Sequence, residues 1–329
     1  MLIETNCIIN GMPEEVYHAD PTPVVKGFVD NSSASSTTLN ALIEETEIEG
    51  RMTIKRLNPN KKNKKNKAMD LGTLAHDYVL SGGTELYEIA PYNAWQSKDA
   101  KAAKADIESR GKIALNINTQ SIVKDLQNMK SRLLEQIKDH KDWAGIFDKG
   151  KPEQSAFAFD GEIWNRIRID WLLENYVNPH GLAIEHVIVD YKTTALPFDR
   201  WEKNELWNGK YVQNVHYKRT LDLITGTKCR FIYVVQQTVE PFLVQIFEID
   251  ESYTGTIESR YDMARKKFIN CLKTGVWKGI MPYTAYSTPP PWVENKWEMD
   301  SLNDDMLRRL EKDALKKAEE PPKDVSMAG

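Results

Sequence analysis

The stretches RIRID (Arg166–Asp170) and IVDYKTT (Ile188–Thr194) decide the reading of this chain. Both read as β-strands, rich in β-branched and apolar residues, with charged residues at every second place in the first. Asp190 and Lys192 are two apart, so on a strand they point to the same face. Arg166, Arg168 and Asp170 share a face for the same reason. If the two strands pair as a hairpin, with 171–184 as the connection, Asp170 comes near Asp190. Two carboxylates and a lysine at one place are expensive to bury unless they are paired or bind a metal. Hard carboxylate oxygens suit Mg2+, with Mn2+ as a substitute. The lysine ammonium can orient a water for attack on phosphorus. The competing reading of a bare D-x-K is a strand pair with Asp–Lys salt bridges on a solvated face.

Working outward, Gln154–Phe159 reads as a strand before this pair, with Asp160-Gly161 as a turn. Asp199–Thr225 reads as a long helix closed by Gly226. Strands follow at about 229–237 and 241–249, then a helix from about 251 to 274 that stops at Gly275. Upstream, Ser35–Glu45 reads as a short helix opening on Ser/Thr caps. Asp70–Leu80 has helical spacing, ended by Gly82-Gly83, and two more helices fit about 96–110 and 117–140. The order is helices, three strands, helix, two strands, helix. It predicts an α/β fold with a mixed central sheet flanked by helices and a helical N-terminal part. Residues 1–34 read as irregular, with Pro13, Pro21 and Pro23 as breakers. The expected domain runs from 35 to 295, and 296–329 is a charged tail, either a solvated helix or disordered.

Within the domain, Arg51–Lys67 is strongly basic and lacks any acidic residue. It reads as a solvated, mobile loop, and also as an arm whose Lys61, Lys62, Lys64 and Lys65 touch phosphates.

The bulk numbers exclude several classes. Hydrophobic residues make up 41% and charged residues 28% of the 329, and mean hydropathy is -0.54; these suit an ordinary globular chain rather than a disordered one. No apolar run is long enough to span a membrane, and MLIETNCIING is not a secretory signal. Cys7, Cys229 and Cys271 form no CxxC pair, which fits a reducing cytoplasm. A net charge of -4 counts against coating nucleic acid by charge alone, but not against a local basic groove.

Six features, the strand pair among them, stand in order along the chain. GTLAH (Gly72–His76) lies on a helix upstream, and Glu153 precedes the first strand. Asp170 follows R-x-R-x-D, and D-Y-K-T-T spans Asp190–Thr194. QNVHY (Gln213–Tyr217) lies on the following helix, and P-P-P-W spans Pro289–Trp292. This ordered set resembles the PD-(D/E)xK nuclease superfamily, and within it the phage-type exonuclease VIII (RecE-like) group, related to the RecB nuclease domain and lambda exonuclease. The likeness covers roughly 35–295.

The resemblance implies a restriction-endonuclease-like core. It implies metal ligation by His76, Asp170 and Asp190 with the Tyr191 carbonyl, and a water-orienting role for Lys192. Glu153 would reach the metal or the water, with Asp160 and Glu162 as nearby competitors. Gln213 and Tyr217, four apart on one helix face, would steady lysine, water or phosphate. Arg166 and Arg168 would meet DNA phosphate or counter the carboxylates. His186 and His216 read as structural or solvated. Two departures stand out: no Pro-Asp dipeptide at Asp170, and no iron–sulfur cysteines.

The resemblance implies a metal-dependent exonuclease that digests linear double-stranded DNA 5' to 3', leaving 3' overhangs for phage-type recombination. It also implies a trimeric or tetrameric ring, a single-strand annealing protein as partner, and a phage or prophage source acting in the bacterial cytoplasm. The tail is a candidate partner contact. An endonuclease or nickase on the same fold, and a non-catalytic DNA-binding or annealing protein, are the alternatives.

Overall fold

The computed structural model describes residues 2–59, 71–81, 87–279, 284 and 286–319. The chain divides into two compact units, residues 1–280 and 281–329.

In the first unit the strands are β1 (Cys7–Asn10), β2 (Tyr87–Ala90), β3 (Ile113–Asn116), β4 (Lys151–Phe159), β5 (Trp164–Val177), β6 (Ala183–Thr194), β7 (Cys229–Gln237) and β8 (Val244–Phe247). The helices are α1 (Glu14–His18), α2 (Ser36–Glu44), α3 (Glu47–Thr53), α4 (Leu71–Ser81), α5 (Lys98–Ser109), α6 (Ser121–Lys138), α7 (Phe198–Trp201), α8 (Tyr211–Thr225) and α9 (Thr254–Thr274). Among the described residues the second unit holds one helix, α10 (Pro291–Glu319).

The central sheet has the order β1-β4-β5-β6-β7-β8. Every neighbouring pair is antiparallel except β6–β7, which is parallel. A parallel step needs a crossover, and the helical segment 198–225 supplies it. β2 and β3 form a separate parallel pair. The sheet is thus mixed, mostly antiparallel and flanked by helices, as the sequence predicts.

Packing explains the near-continuous apolar runs of β6 and β7, which are covered on both faces. Val187, Val189, Ile232 and Val234 join Val79, Leu80, Leu133 and Ile137 in one core. Ile188, Phe231, Tyr233 and Val235 join Leu221 and Trp201 in another. Asp190, two residues after Ile188, therefore emerges on the α8 side of the sheet. A third core ties α2, α8 and α9 together through Leu39, Leu42, Val215, Tyr261 and Phe268.

Four expectations change. The N-terminal segment is not irregular: Cys7–Asn10 pairs with β4 and Glu14–His18 is helical. Ile3, Met12 and Tyr17 bury against Phe157 and Trp164, and that burial holds the segment in place. The basic loop does not begin at Arg51, because α3 runs to Thr53, a 3-10 turn covers Lys55–Leu57, and Ile54 is fully buried. Lys61, Lys62, Lys64 and Lys65, with Gly82-Gly83, lie outside the described residues. The hairpin connection is 178–182 rather than 171–184, since both strands extend past the sheet core. The long helix predicted for 199–225 is broken. A π-helical stretch over Glu202–Lys210 ends in a kink where Gly209 takes φ 122°.

Candidate active site

Eight residues that the sequence marks come from five elements to line one cleft of about 730 Å³. β5 brings Arg166, Arg168 and Asp170; β6 brings Lys192; α4 brings His76; β4 brings Glu153; α8 brings Gln213 and Tyr217. The register that pairs Trp171 with Val189 sets Asp170 beside β6. There the Tyr191 amide donates to Asp170 Oδ2 at 3.0 Å.

The charged groups are tightly linked. Lys192 Nζ pairs with Asp190 Oδ2 and lies 3.7 Å from Asp170 Oδ2. Gln213 Nε2 donates to Asp190 Oδ1 at 2.6 Å. His76 Nε2 lies 3.1 Å from Asp170 Oδ2. Arg168 Nε donates to Glu153 Oε2 at 2.6 Å.

Electrostatics separates the two aspartates. Burial pushes the Asp170 carboxyl up, but Lys192, His76 and the Tyr191 amide outweigh it and hold it below the ordinary value. Burial pushes Asp190 up to about 6, against the pull of Lys192 and with the repulsion of Asp170. For Lys192, burial acts to lower the pKa, yet Asp190 and Asp170 more than offset it and raise it. The lysine is therefore an ammonium at neutral pH. It holds three N–H donors and no acceptor.

One imidazole and two carboxylates form a donor set that suits a metal. Ligand atoms of His76, Glu153 and Asp170 all lie within 4.8 Å of one another. Hard oxygen donors with one histidine suit Mg2+ or Mn2+. Asp190 stands outside that trio, with its two oxygens taken by Lys192 and Gln213. Tyr191 presents its amide to the site, while its ring faces the opposite core and its hydroxyl donates to Gln236 at 2.6 Å.

Both arginines meet carboxylates while lining the cleft. Arg166 Nη1 lies 3.3 Å from Asp20 Oδ2, and its guanidinium sits over the Tyr17 ring. Among the described residues no hydrogen-bond partner reaches Arg166 Nε. His216 is fully buried and structural, between the Arg166 carbonyl (3.1 Å) and the Tyr261 hydroxyl (3.0 Å).

Asp20 is marked by no pattern in the sequence. Its carboxylate is buried and accepts from Thr22 Oγ1, Ser32 Oγ, Ser33 N and Ser33 Oγ. Nor did any pattern mark Glu14, Tyr17, His18, Ser35, Thr37 or Thr53, which also line the cleft. A run of small hydroxyl residues, SSASSTT (Ser32–Thr38), is the one signal that could have drawn attention there.

Residues 35–280 match the family described as a PDDEXK-like domain of unknown function (DUF3799). No curated protein sequence matches the chain. Among solved structures, a candidate exonuclease from Eubacterium rectale is similar at 14% identity and a TM-score of 0.49, over 80% of this chain and 92% of that one. The protein VC1899 from Vibrio cholerae is similar at 10% identity and a TM-score of 0.19, over 74% of this chain and 58% of that one.

Proposed function

The chain belongs to the PDDEXK-like domain family (DUF3799), and from that premise we propose that it is a metal-dependent DNA exonuclease. The observation that carries the reading is the meeting of Asp170 and Lys192 with His76 and Glu153 in one cleft, with the buried Asp190 paired to Lys192 behind them. A binding module needs basic and aromatic residues but no converging carboxylates.

His76, Asp170 and Glu153 would hold Mg2+, with Asp190 holding Lys192 beside them. The bound ion supplies charge stabilisation at the phosphoryl oxygens. Lys192 stays protonated and orients a water through an N–H that Asp190 and Asp170 do not take. Gln213 fixes Asp190, and so fixes the lysine. Tyr217 closes the floor of the cleft beside them. Arg166, with Nε turned to no partner among the described residues, suits a backbone phosphate. Arg168 can exchange Glu153 for phosphate when Glu153 turns to the ion.

Duplex substrate, 5' to 3' direction and 3' overhangs for recombination rest on the likeness to the exonuclease VIII group. So do a ring of three or four copies, an annealing protein as partner and a phage or prophage source with action in the host cytoplasm. The described residues hold no helix long and apolar enough to cross a membrane.

The test is linear duplex DNA labelled at the 5' or the 3' end, with Mg2+, Mn2+ or EDTA, beside a closed circular duplex. Metal-dependent loss of the linear DNA alone, with the 5' label released first, is the expected result. Cutting of the circle would move the assignment to an endonuclease. Binding that survives EDTA, with no cleavage under any metal, would leave a DNA-binding protein.

A further inference from the structure

We propose that α10 is a self-association surface on which the helix of one copy pairs antiparallel with α10 of a second copy. This inference is independent of the nuclease reading.

An apolar seam comes first. Met299, Leu302, Met306 and Leu310 recur at intervals of three and four, and Trp292 stands seven residues before Met299. At helical spacing they share one side of α10. All five side chains are more than half exposed. The seam from Trp292 to Leu310 is about 27 Å long at 1.5 Å per residue. A contiguous apolar strip of that length is an interaction surface more often than a solvated one.

Charge then selects the occupant. Residues 294–305 hold five acidic side chains and one basic, whereas 308–317 hold five basic and two acidic. This division suits the helix dipole, but the dipole acts only in the first and last turns. Asp304, Asp305, Arg308 and Arg309 stand in the middle of the helix. In a parallel, in-register pair, acid would face acid and base would face base. Turned antiparallel, each acidic half lies along the partner's basic half. With the two-fold axis between Leu302 and Met306, Met299 of one copy lies beside Leu310 of the other, and Leu302 beside Met306. Glu298, on the flank of the seam, then lies beside Lys312.

Such a contact is isologous, with the same patch used by both copies. It builds even-numbered assemblies. A tetramer can contain it, and a lone three-fold ring cannot.

The experiment is analytical ultracentrifugation of the full chain over a concentration series, with far-UV circular dichroism as the check on folding. The wild type is expected to form a dimer or a larger even-numbered species. Leu302→Ala with Leu310→Ala keeps helix propensity and is expected to halve the assembled mass. Lys312→Glu places Glu298 against a like charge and is expected to raise the dissociation constant roughly tenfold at low salt. Adding Glu298→Lys is expected to restore it; the two sites are too far apart in one helix to touch each other. A wild type that is monomeric at every concentration would overturn the proposal. So would a double-alanine variant with wild-type mass, or a charge swap no better than Lys312→Glu alone.

Discussion

At Asp20 a buried carboxylate collects four hydrogen bonds and the Arg166 guanidinium. Removing one partner of a buried pair leaves the other charge uncompensated, a loss of about 3–5 kcal/mol. Asp20→Asn should therefore lower the unfolding free energy by that order in a denaturant titration; a loss below about 1 kcal/mol would show the pair to be superficial. His216 gives a pH signature. Its ordinary value is 6.5, and burial pushes it down to about 4 in the fold. Between those values the unfolded chain binds more protons, so stability falls as pH drops from about 6.5 to about 4, by about 3 kcal/mol in all. His216→Gln should flatten that part of the curve, and an unchanged slope would assign the titration elsewhere. His76→Ala should weaken Mg2+ binding, read by calorimetry, by at least the ~10- to 100-fold that loss of a supporting partner produces. Unchanged binding would remove His76 from the donor set. At this scale the nearness of Asp170, Asp190 and Lys192 was legible because strand spacing maps onto faces, whereas His76 and Gln213 were marked only by the family resemblance. Asp20 was not: its partners come from a loop without periodicity and from a strand far along the chain.

The strands β6 and β7 were legible as elements because both faces are buried and their apolar runs are near-continuous, and β5 because apolar and charged residues alternate through RIRID. β1 was missed because four residues between breakers carry too little pattern, and its place is set by pairing with β4. The break before α8 was passed over too, although Asn208-Gly209 is a turn signal within Glu202–Lys210. Its cause is tertiary: Gly209 packs against Asn40, and an added Cβ would lie 2.5 Å from that side chain. Gly209 also sits at φ 122°, where an L side chain is strained. Gly209→Ala should destabilise by about 1–3 kcal/mol. It should also disturb α8, lowering any nuclease rate through Gln213. Unaltered thermal unfolding would show that the kink tolerates a side chain.

For the molecule as a whole, a net charge of -4 conceals local arrangement. Glu153, Asp170 and the two arginines share one cleft, and α10 divides its charge between its halves. The family match ends at residue 280, where the first compact unit also ends. The sequence placed that boundary near 295, because P-P-P-W reads as the end of a domain although Pro291 opens α10. On the function proposed above, the carboxylate–lysine cluster is catalytic. Its most direct test compares the wild type with Lys192→Ala for cleavage of linear duplex DNA in Mg2+, with DNA binding measured on the same samples. A rate loss of about 10²- to 10⁴-fold with binding retained is expected. A Lys192→Ala protein that cleaves at the wild-type rate would contradict it.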